Sequence, residues 1–181
     1  MGIEAKLARS MAAVRLVRIE RSLRFADPVD GFVIQVGTKW VLVAKVSDGG
    51  YFDGHVALRI RDIERVKANR SFASVHVLTE PEWPPGFPRP VGLDDTAVVL
   101  RDLDASDSLI GIQNEQERSA IWIGRLDEIL GKWVYLREVR TDASWHESPL
   151  GYKLKSITSV EIGTRYLVAL AQVAGAEPPP N

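Results

Sequence analysis

The chain has 181 residues, of which 45% are hydrophobic and 26% are charged, a composition typical of one globular domain or two small ones. Its formal net charge is −1, which excludes a strong overall attraction to nucleic acid or to an anionic membrane. It contains no cysteine, which excludes disulfides, thiolate catalysis and thiolate metal sites. Basic residues interrupt the apolar N-terminus and leave no signal-peptide core, so we expect a cytoplasmic protein without a membrane partner.

The first half of the chain predicts a short helix followed by strands. "GFVIQVG" (31–37) and "KWVLVAKV" (39–46) are rich in β-branched residues and predict two paired strands. "HVALRIRDIERV" (55–66) alternates in polarity and predicts a half-buried strand, and "FASVHVL" (72–78) predicts the last strand of this half. The helix is predicted from apolar residues at helical spacing, namely Ile3, Leu7, Met11 and Val14.

A proline-rich segment separates this half from a second one. "TEPEWPPGFPRP" (79–90) holds five of the ten prolines and predicts a semi-rigid connector held by its aromatic residues. The alternative is a recognition segment for a proline-binding module. Asp94 is predicted to be the N-cap of a helix that includes Ala97. Further strands follow, and "RYLVALAQV" (165–173) predicts either a last strand or a terminal helix.

Sequence markers recur in the same order at a spacing of 93 or 94 residues, which predicts a duplication. Trp40 and Trp133 each follow a marker glycine by nine residues, so we expect both rings to occupy equivalent buried positions. The predicted units are a first half (1–79), a linker (80–92), a second half (93–174) and a disordered tail (175–181). The marker pairs are Leu16 and Leu109, Gly31 and Gly124, Ile63 and Ile157, and Phe72 and Tyr166.

Each half resembles an Sm-like or SH3-like β-barrel. The resemblance rests on a helix followed by five strands, on Gly31 and Gly124 where a strand must bend, and on "RDIERV" and "KSITSV" before the last strand. It implies a mainly β fold (all-β with short helices) of two tandem duplicated five-stranded barrels, each preceded by a short helix. RNA-binding Sm proteins carry an Asp-x-aromatic/Met-Met-Asn type motif and an Arg-Gly pair. The matching stretches here read "SDGGYFDGHVAL" and "RDIERVK", so the resemblance does not imply RNA binding.

The whole sequence is also similar to a group of uncharacterised actinobacterial proteins. These proteins carry segments in the style of "GYFDGHVALRIRDI" and "WHESPLGYKLKSITSV" in the same order as this chain. That similarity implies no activity.

Two loops hold candidate ligand or partner contacts. "DGGYFDGH" (48–55) contains two turn signals and three candidates, which are Tyr51, Asp53 and His55. Its acids and single histidine lack metal-ligand spacing, so we expect no metal and no cofactor. "TDASWHESPLGY" (141–152) contains three more candidates, which are Trp145, His146 and Glu147. They could form a pocket with a general base, or belong to a loop held by a buried tryptophan, and no nucleophile accompanies them.

Arginines recur at every third residue near the N-terminus, and they are Arg15, Arg18, Arg21 and Arg24. They predict either a nucleic-acid face or a solvated strand face paired with acids, and we favour the second because the net charge is near zero. We therefore predict a non-enzymatic binding or scaffold protein that contacts another protein or its own copy through barrel edges. The alternatives are a nucleic-acid module that uses the arginines and, less favoured, a hydrolase centred on His146.

Overall fold

A computed structural model describes residues 2–104 and 108–179 of the chain. The mainly β prediction is confirmed, because the described residues contain ten antiparallel strands in one open sheet. The strands are β1 (Leu16–Arg21), β2 (Val29–Val36), β3 (Trp40–Val46), β4 (Phe52–Arg59), β5 (Ile63–Ala68), β6 (Ile110–Gln113), β7 (Ile121–Leu130), β8 (Trp133–Glu138), β9 (Leu150–Lys153) and β10 (Ser159–Ile162). The helices are α1 (Ile3–Ala12), α2 (Ala73–His76), α3 (Thr96–Asp104) and α4 (Arg165–Ala174), and 3₁₀ turns lie at Ile60–Asp62, Val77–Thr79 and Leu154–Ser156.

The strand order of the first half is repeated in the second half. Along the sheet the order is β5-β1-β2-β3-β4-β10-β6-β7-β8-β9, so strands β6 to β10 follow the order of β1 to β5. The pairing register also repeats, with β-bulges in β2 and β7 at corresponding positions. Corresponding pairs are Val17–Gly31 and Ile110–Gly124, Ile19–Val66 and Ile112–Val160, and Trp40–Arg59 and Trp133–Lys153. The two halves join where β4 pairs with β10, which leaves β5 and β9 at the ends of the sheet.

Both faces of the sheet are covered in each half. In the first half, Leu7 of α1 packs with Ile19 and Val43 on one face, while Leu16 and Phe32 pack beneath α2 on the other. The second half has the corresponding arrangement under α3 and α4. The cover on both faces explains why β3 is a nearly continuous apolar run, which is typical of strands buried on both faces.

The predicted half-buried strand 55–66 is wrong in two respects. Residues Ile60–Asp62 form a 3₁₀ turn that divides it into β4 and β5. In β4 the supposedly polar face is also buried, since Ala57 is 0% and Arg59 only 6% exposed. The reason is that other elements cover this face: Ala57 packs in the apolar cluster that includes Leu100 of α3, and Arg59 donates to the carbonyl oxygens of the 3₁₀ turn at Leu154–Ser156.

The segment 72–78, expected to be a last strand, is helical, and 165–173, predicted as either a strand or a helix, is a helix. Ala73 and Val77, which are four residues apart, are buried, whereas Phe72 and Val75 are exposed. Burial at a spacing of four is the periodicity of a helix and not of a strand. In the second half, residues 165–173 lie within α4, whose N-cap Thr164 accepts a hydrogen bond from the Leu167 amide. The last strand of each half is instead β5 or β10, which follows a 3₁₀ turn.

The predicted N-cap of the second-half helix is displaced by one residue. Asp95, which directly precedes α3, accepts a hydrogen bond from the amide of Ala97 at 2.8 Å. Asp94 instead accepts from the amide and the hydroxyl of Thr38, at 2.7 and 2.8 Å. Asp94 therefore anchors the segment after the linker to the turn between β2 and β3.

The proline-rich segment and the C-terminal segment both contact the body of the protein. Trp83 packs edge-on against Phe32, with ring centroids 5.4 Å apart. In the predicted disordered tail, Glu177 forms an ion pair with Arg137 at 3.1 Å, so this part of the tail is held in place. Residues 180–181 lie outside the described residues.

The prediction that both marker tryptophans are buried is correct for one of them. Trp40 is 1% exposed and Trp133 is 40% exposed, although they occupy the same register position opposite β4 and β9. Trp40 belongs to the apolar cluster that includes Leu93, which approaches it from the segment before α3. Trp133 lies on β8, next to the terminal strand β9, and in residues 2–104 and 108–179 no segment corresponding to that of Leu93 covers it.

Candidate functional site

A cleft of about 530 Å³ forms where β4 begins, β10 ends and the proline-rich segment passes over them. Its lining includes Asp53 and His55, which were sequence candidates, and Phe87 and Arg165, which were not. Tyr51 lies beside the cleft, where the Arg165 guanidinium stacks 5.3 Å from its ring centroid. The structure thus brings the three candidates of the first loop close together.

His55 fastens the proline-rich segment to the sheet. Its Nε2 lies 2.7 Å from the carbonyl oxygen of Gly86, so this nitrogen donates the hydrogen bond. The imidazole ring packs edge-on against Phe87, with centroids 4.9 Å apart. Burial lowers the pKa of His55, against the opposing effect of the Gly86 carbonyl, so the ring is neutral near pH 7. A neutral, tethered imidazole serves as an anchor for the connector.

Asp53 and Gly54 join β4 to the end of the second half. The Asp53 carboxylate accepts a hydrogen bond from the Arg165 amide at 2.8 Å, which satisfies a free donor in the first turn of α4. Gly54 has a φ of +68°, and a Cβ there would lie 2.5 Å from the backbone nitrogen of Thr164. The predicted turn at these two residues is wrong, because both lie within β4, and Gly54 is required there by the close approach of two backbones.

The second loop is held by its tryptophan. The indole nitrogen of Trp145 donates a hydrogen bond to the carbonyl oxygen of Ala174 at 3.3 Å, which fixes the loop on α4. The backbone amide of His146 donates to Glu138, and the side chain of Glu147 is exposed. Among residues 2–104 and 108–179, the His146 ring forms no hydrogen bond or ion pair that would orient it as a general base. The structure does not assemble these three residues into a catalytic pocket.

The four arginines of the first half do not share one face. Arg18 forms two hydrogen bonds with Asp30, at 3.0 and 2.6 Å. Arg21 is 9% exposed and pairs with Glu115, so it is not available as a nucleic-acid contact at the surface. Arg15 and Arg24 are exposed, and Arg24 stacks on the neighbouring ring of Phe25. One of the four candidate nucleic-acid contacts is therefore a buried structural residue.

Arg21 is buried because it bridges the two halves. The side chain of Glu115 lies in the second half and accepts further hydrogen bonds from the hydroxyls of Thr158 and Ser159, at 2.9 and 3.1 Å. No pattern in the sequence marks Glu115 as buried, because it lies in a polar stretch between two strands. The pairing of Arg21 with Glu115 depends on the packing of the halves, which local sequence does not report.

The β4·β10 junction has polar contacts along its length. The backbone pairing runs from Ser159 opposite Leu58 to Ile162 opposite His55. Lys45 of β3 forms an ion pair with Glu161 of β10 at 2.9 Å. The Arg59 guanidinium donates to the carbonyl oxygens of Leu154 and Lys155, each at 2.7 Å, and stacks on Trp40. The junction thus combines a backbone ladder, an ion pair and an arginine bound to a 3₁₀ turn.

In residues 2–104 and 108–179, no group of three or more histidine, aspartate or glutamate side chains is arranged to hold a metal ion. In the same ranges, no helix is both long and apolar enough to cross a membrane.

Comparison of the chain with protein-family models, curated protein sequences and solved structures found no match in any of the three.

Proposed function

We propose that this protein is a non-enzymatic assembly module, in which two duplicated halves of Sm-like or SH3-like barrel type associate head to tail with further copies through β5 and β9. The observation that carries the proposal is the β4·β10 junction, in which one half already pairs with the other through strand edges. The strands at the two ends of the sheet correspond in position to the strands that meet at this junction. A heterologous contact of this kind repeats and builds rings or filaments.

The repeated register specifies how the free edges would pair. Val43 lies opposite Val56 and Leu136 lies opposite Leu150, so Leu150 of β9 corresponds to Val56 of β4. Arg18 lies opposite Lys67 and Gly111 lies opposite Glu161, so Lys67 of β5 corresponds to Glu161 of β10. Because Glu161 pairs with Val56 inside the chain, Lys67 of one copy would pair with Leu150 of the next.

Charge complementarity supports the same arrangement. The Lys45–Glu161 ion pair crosses the internal junction. At the free edges, Glu138 of β8 occupies the position of Lys45, and Lys67 of β5 occupies the position of Glu161. These two residues are again of opposite charge, but the acid and the base have changed places. The Lys67 side chain is 52% exposed and contacts Glu20 of its own chain, so it is accessible to a partner. Glu138 also accepts a hydrogen bond from the Tyr152 hydroxyl. The two edges thus carry side chains of opposite charge at corresponding positions.

The test is the molar mass in solution, measured by size-exclusion chromatography with light scattering over a range of concentrations. The wild type is expected to form multiples of the 20.1 kDa chain. Lys67→Glu and Glu138→Lys should each shift the protein toward the single-chain mass, and the double variant should restore assembly because the charges are again opposite. The control Lys132→Glu, at an exposed lysine in the turn between β7 and β8, should leave the mass unchanged.

Two outcomes would contradict the proposal. One is a wild-type protein that remains a single chain at every concentration. The other is loss of assembly in the double variant to the same extent as in the single variants, since electrostatic pairing at these positions predicts recovery.

A further inference from the structure

A second groove, separate from the cleft at His55, combines aromatic and basic side chains. It has a volume of about 510 Å³ and lies between the β6–β7 loop, the start of β8 and β9. Trp122 and Tyr152 in its lining pack against each other at a tilt of 42°, with ring centroids 4.9 Å apart. Trp133 forms one wall, and 40% of its surface is exposed. The exposed indole of Trp133 beside this aromatic pair offers flat apolar surface in an otherwise polar groove.

Three cations line the same groove. Arg118 stacks over Trp122 at 5.9 Å and Lys153 over Trp133 at 5.4 Å from the ring centroids. Lys155 completes the set, and all three side chains belong to exposed residues. Among the described residues 2–104 and 108–179, none of the three forms an ion pair. Glu117 is the one carboxylate in the lining, so the groove is positively charged although the whole chain is not.

We infer that this groove binds single-stranded nucleic acid, with a base stacked on Trp133 and the backbone phosphates held by Arg118, Lys153 and Lys155. Sequence-tolerant binding of single strands uses this combination of an aromatic platform and a basic track, because every base has a flat face and every nucleotide carries a phosphate. A duplex hides the faces of its bases and could use only the charges. Asn114 and Ser156 in the lining add hydrogen-bonding groups at the rim.

The groove is independent of the first-half arginines and lies within one copy of the chain. Arg15 and Arg24, the exposed arginines of the first half, are not in its lining. All the lining residues fall between Ile112 and Ile157, so binding does not require assembly through β5 and β9. The Lys67→Glu variant therefore provides a background in which binding is measured without assembly.

The experiment is a fluorescence-anisotropy titration of the Lys67→Glu protein with a labelled oligouridylate of about eight nucleotides, within the usual site sizes. Trp133→Ala should weaken binding by about 5- to 150-fold, the effect of losing one stacking aromatic, and Trp133→Phe should retain most of it. The logarithm of affinity should fall with the logarithm of salt concentration with a slope of about −2, as expected for three phosphate contacts on a single strand. Lys155→Ala should make that slope shallower by about 0.7.

Matched controls decide between this groove and general electrostatic attraction. The double variant Arg15→Ala/Arg24→Ala removes exposed charges of the first half and should leave the affinity unchanged. Uridine monophosphate should bind more weakly than the oligomer but with the same dependence on Trp133. The inference is overturned if the oligomer does not bind, if a duplex binds as tightly, or if the Arg15/Arg24 variant loses as much affinity as Trp133→Ala. Thermal melts of each variant verify that the fold is retained.

Discussion

Asp104, the last residue of α3, is a carboxyl group whose environment favours its neutral form. Burial raises its pKa from 3.8 to about 6, while the hydrogen bond from the Leu126 amide and the charge of Arg125 oppose the increase. Because the pKa is higher in the folded than in the unfolded state, the folded state holds the proton more tightly. This contribution to stability is present below the unfolded pKa and is lost as the pH rises through the folded pKa.

We therefore predict that Asp104→Asn is as stable as the wild type near pH 4 and more stable near pH 7. The asparagine keeps an acceptor for the Leu126 amide but cannot ionise. The measurement is the midpoint of thermal unfolding of both proteins across this range. Asp142→Asn is the control of opposite sign, because hydrogen bonds from Ser144 lower the pKa of Asp142. A constant difference between Asp104→Asn and the wild type at all pH values would contradict the prediction.

At the scale of elements, the sequence predicts a strand or helix correctly where the periodicity of its apolar residues agrees with the burial of those residues in the fold. The predicted strands 31–37 and 39–46 correspond to β2 and β3, since their β-branched residues pack on both faces of the sheet. The segment at 72–78 could not be distinguished from a strand by its composition, because valine favours strands intrinsically. Only the apolar surface beneath Ala73 and Val77, formed by Leu16 and Phe32, selects the helix.

Trp40 and Trp133 test how neighbouring elements determine the contribution of equivalent residues to the free energy of unfolding. Trp40→Ala is expected to reduce the free energy of unfolding by ~3–5 kcal/mol, the usual cost of truncating a buried aromatic. Trp133→Ala should cost less than Trp40→Ala, because 40% of the Trp133 surface is already in water. Urea denaturation of both single-chain variants, in the Lys67→Glu background, measures the difference. Equal losses would mean that the halves bury these rings alike.

At the scale of the whole molecule, the sequence predicts two related halves but not how they join. The recurring markers report equivalent positions within each half, whereas the strand order is set by backbone hydrogen bonds that reach across the halves. The candidates Asp53 and His55 were identified as loop residues, and their partners Arg165 and Gly86 are distant in sequence. The buried Glu115 was missed for the same reason, since its partner Arg21 lies in the other half.

A substitution at Gly54 tests how closely the backbones of the two halves approach each other at the junction. Gly54 and Gly131 both have positive φ, of +68° and +59°, but only Gly54 has backbone atoms where a Cβ would lie. Gly131→Ala should cost ~1–2 kcal/mol from the left-handed conformation alone. Gly54→Ala should cost ~1–3 kcal/mol more, because the added methyl group overpacks the joint between β4 and the start of α4. Chemical denaturation of the two variants would contradict this if their stabilities were the same.

The most direct test of edge-to-edge assembly is a disulfide between copies, which the absence of native cysteine makes unambiguous. The corresponding residues in an antiparallel pair lie ~4.5–5.5 Å apart at Cα, within the range that a disulfide spans. Mixed Lys67→Cys and Leu150→Cys proteins should form a disulfide-linked pair of chains under mild oxidation, identified by peptide mapping. Lys67→Cys mixed with Lys153→Cys, three residues along β9, should not link efficiently. Failure of the first pair to link, or equal linking by both pairs, would contradict head-to-tail pairing of β5 with β9.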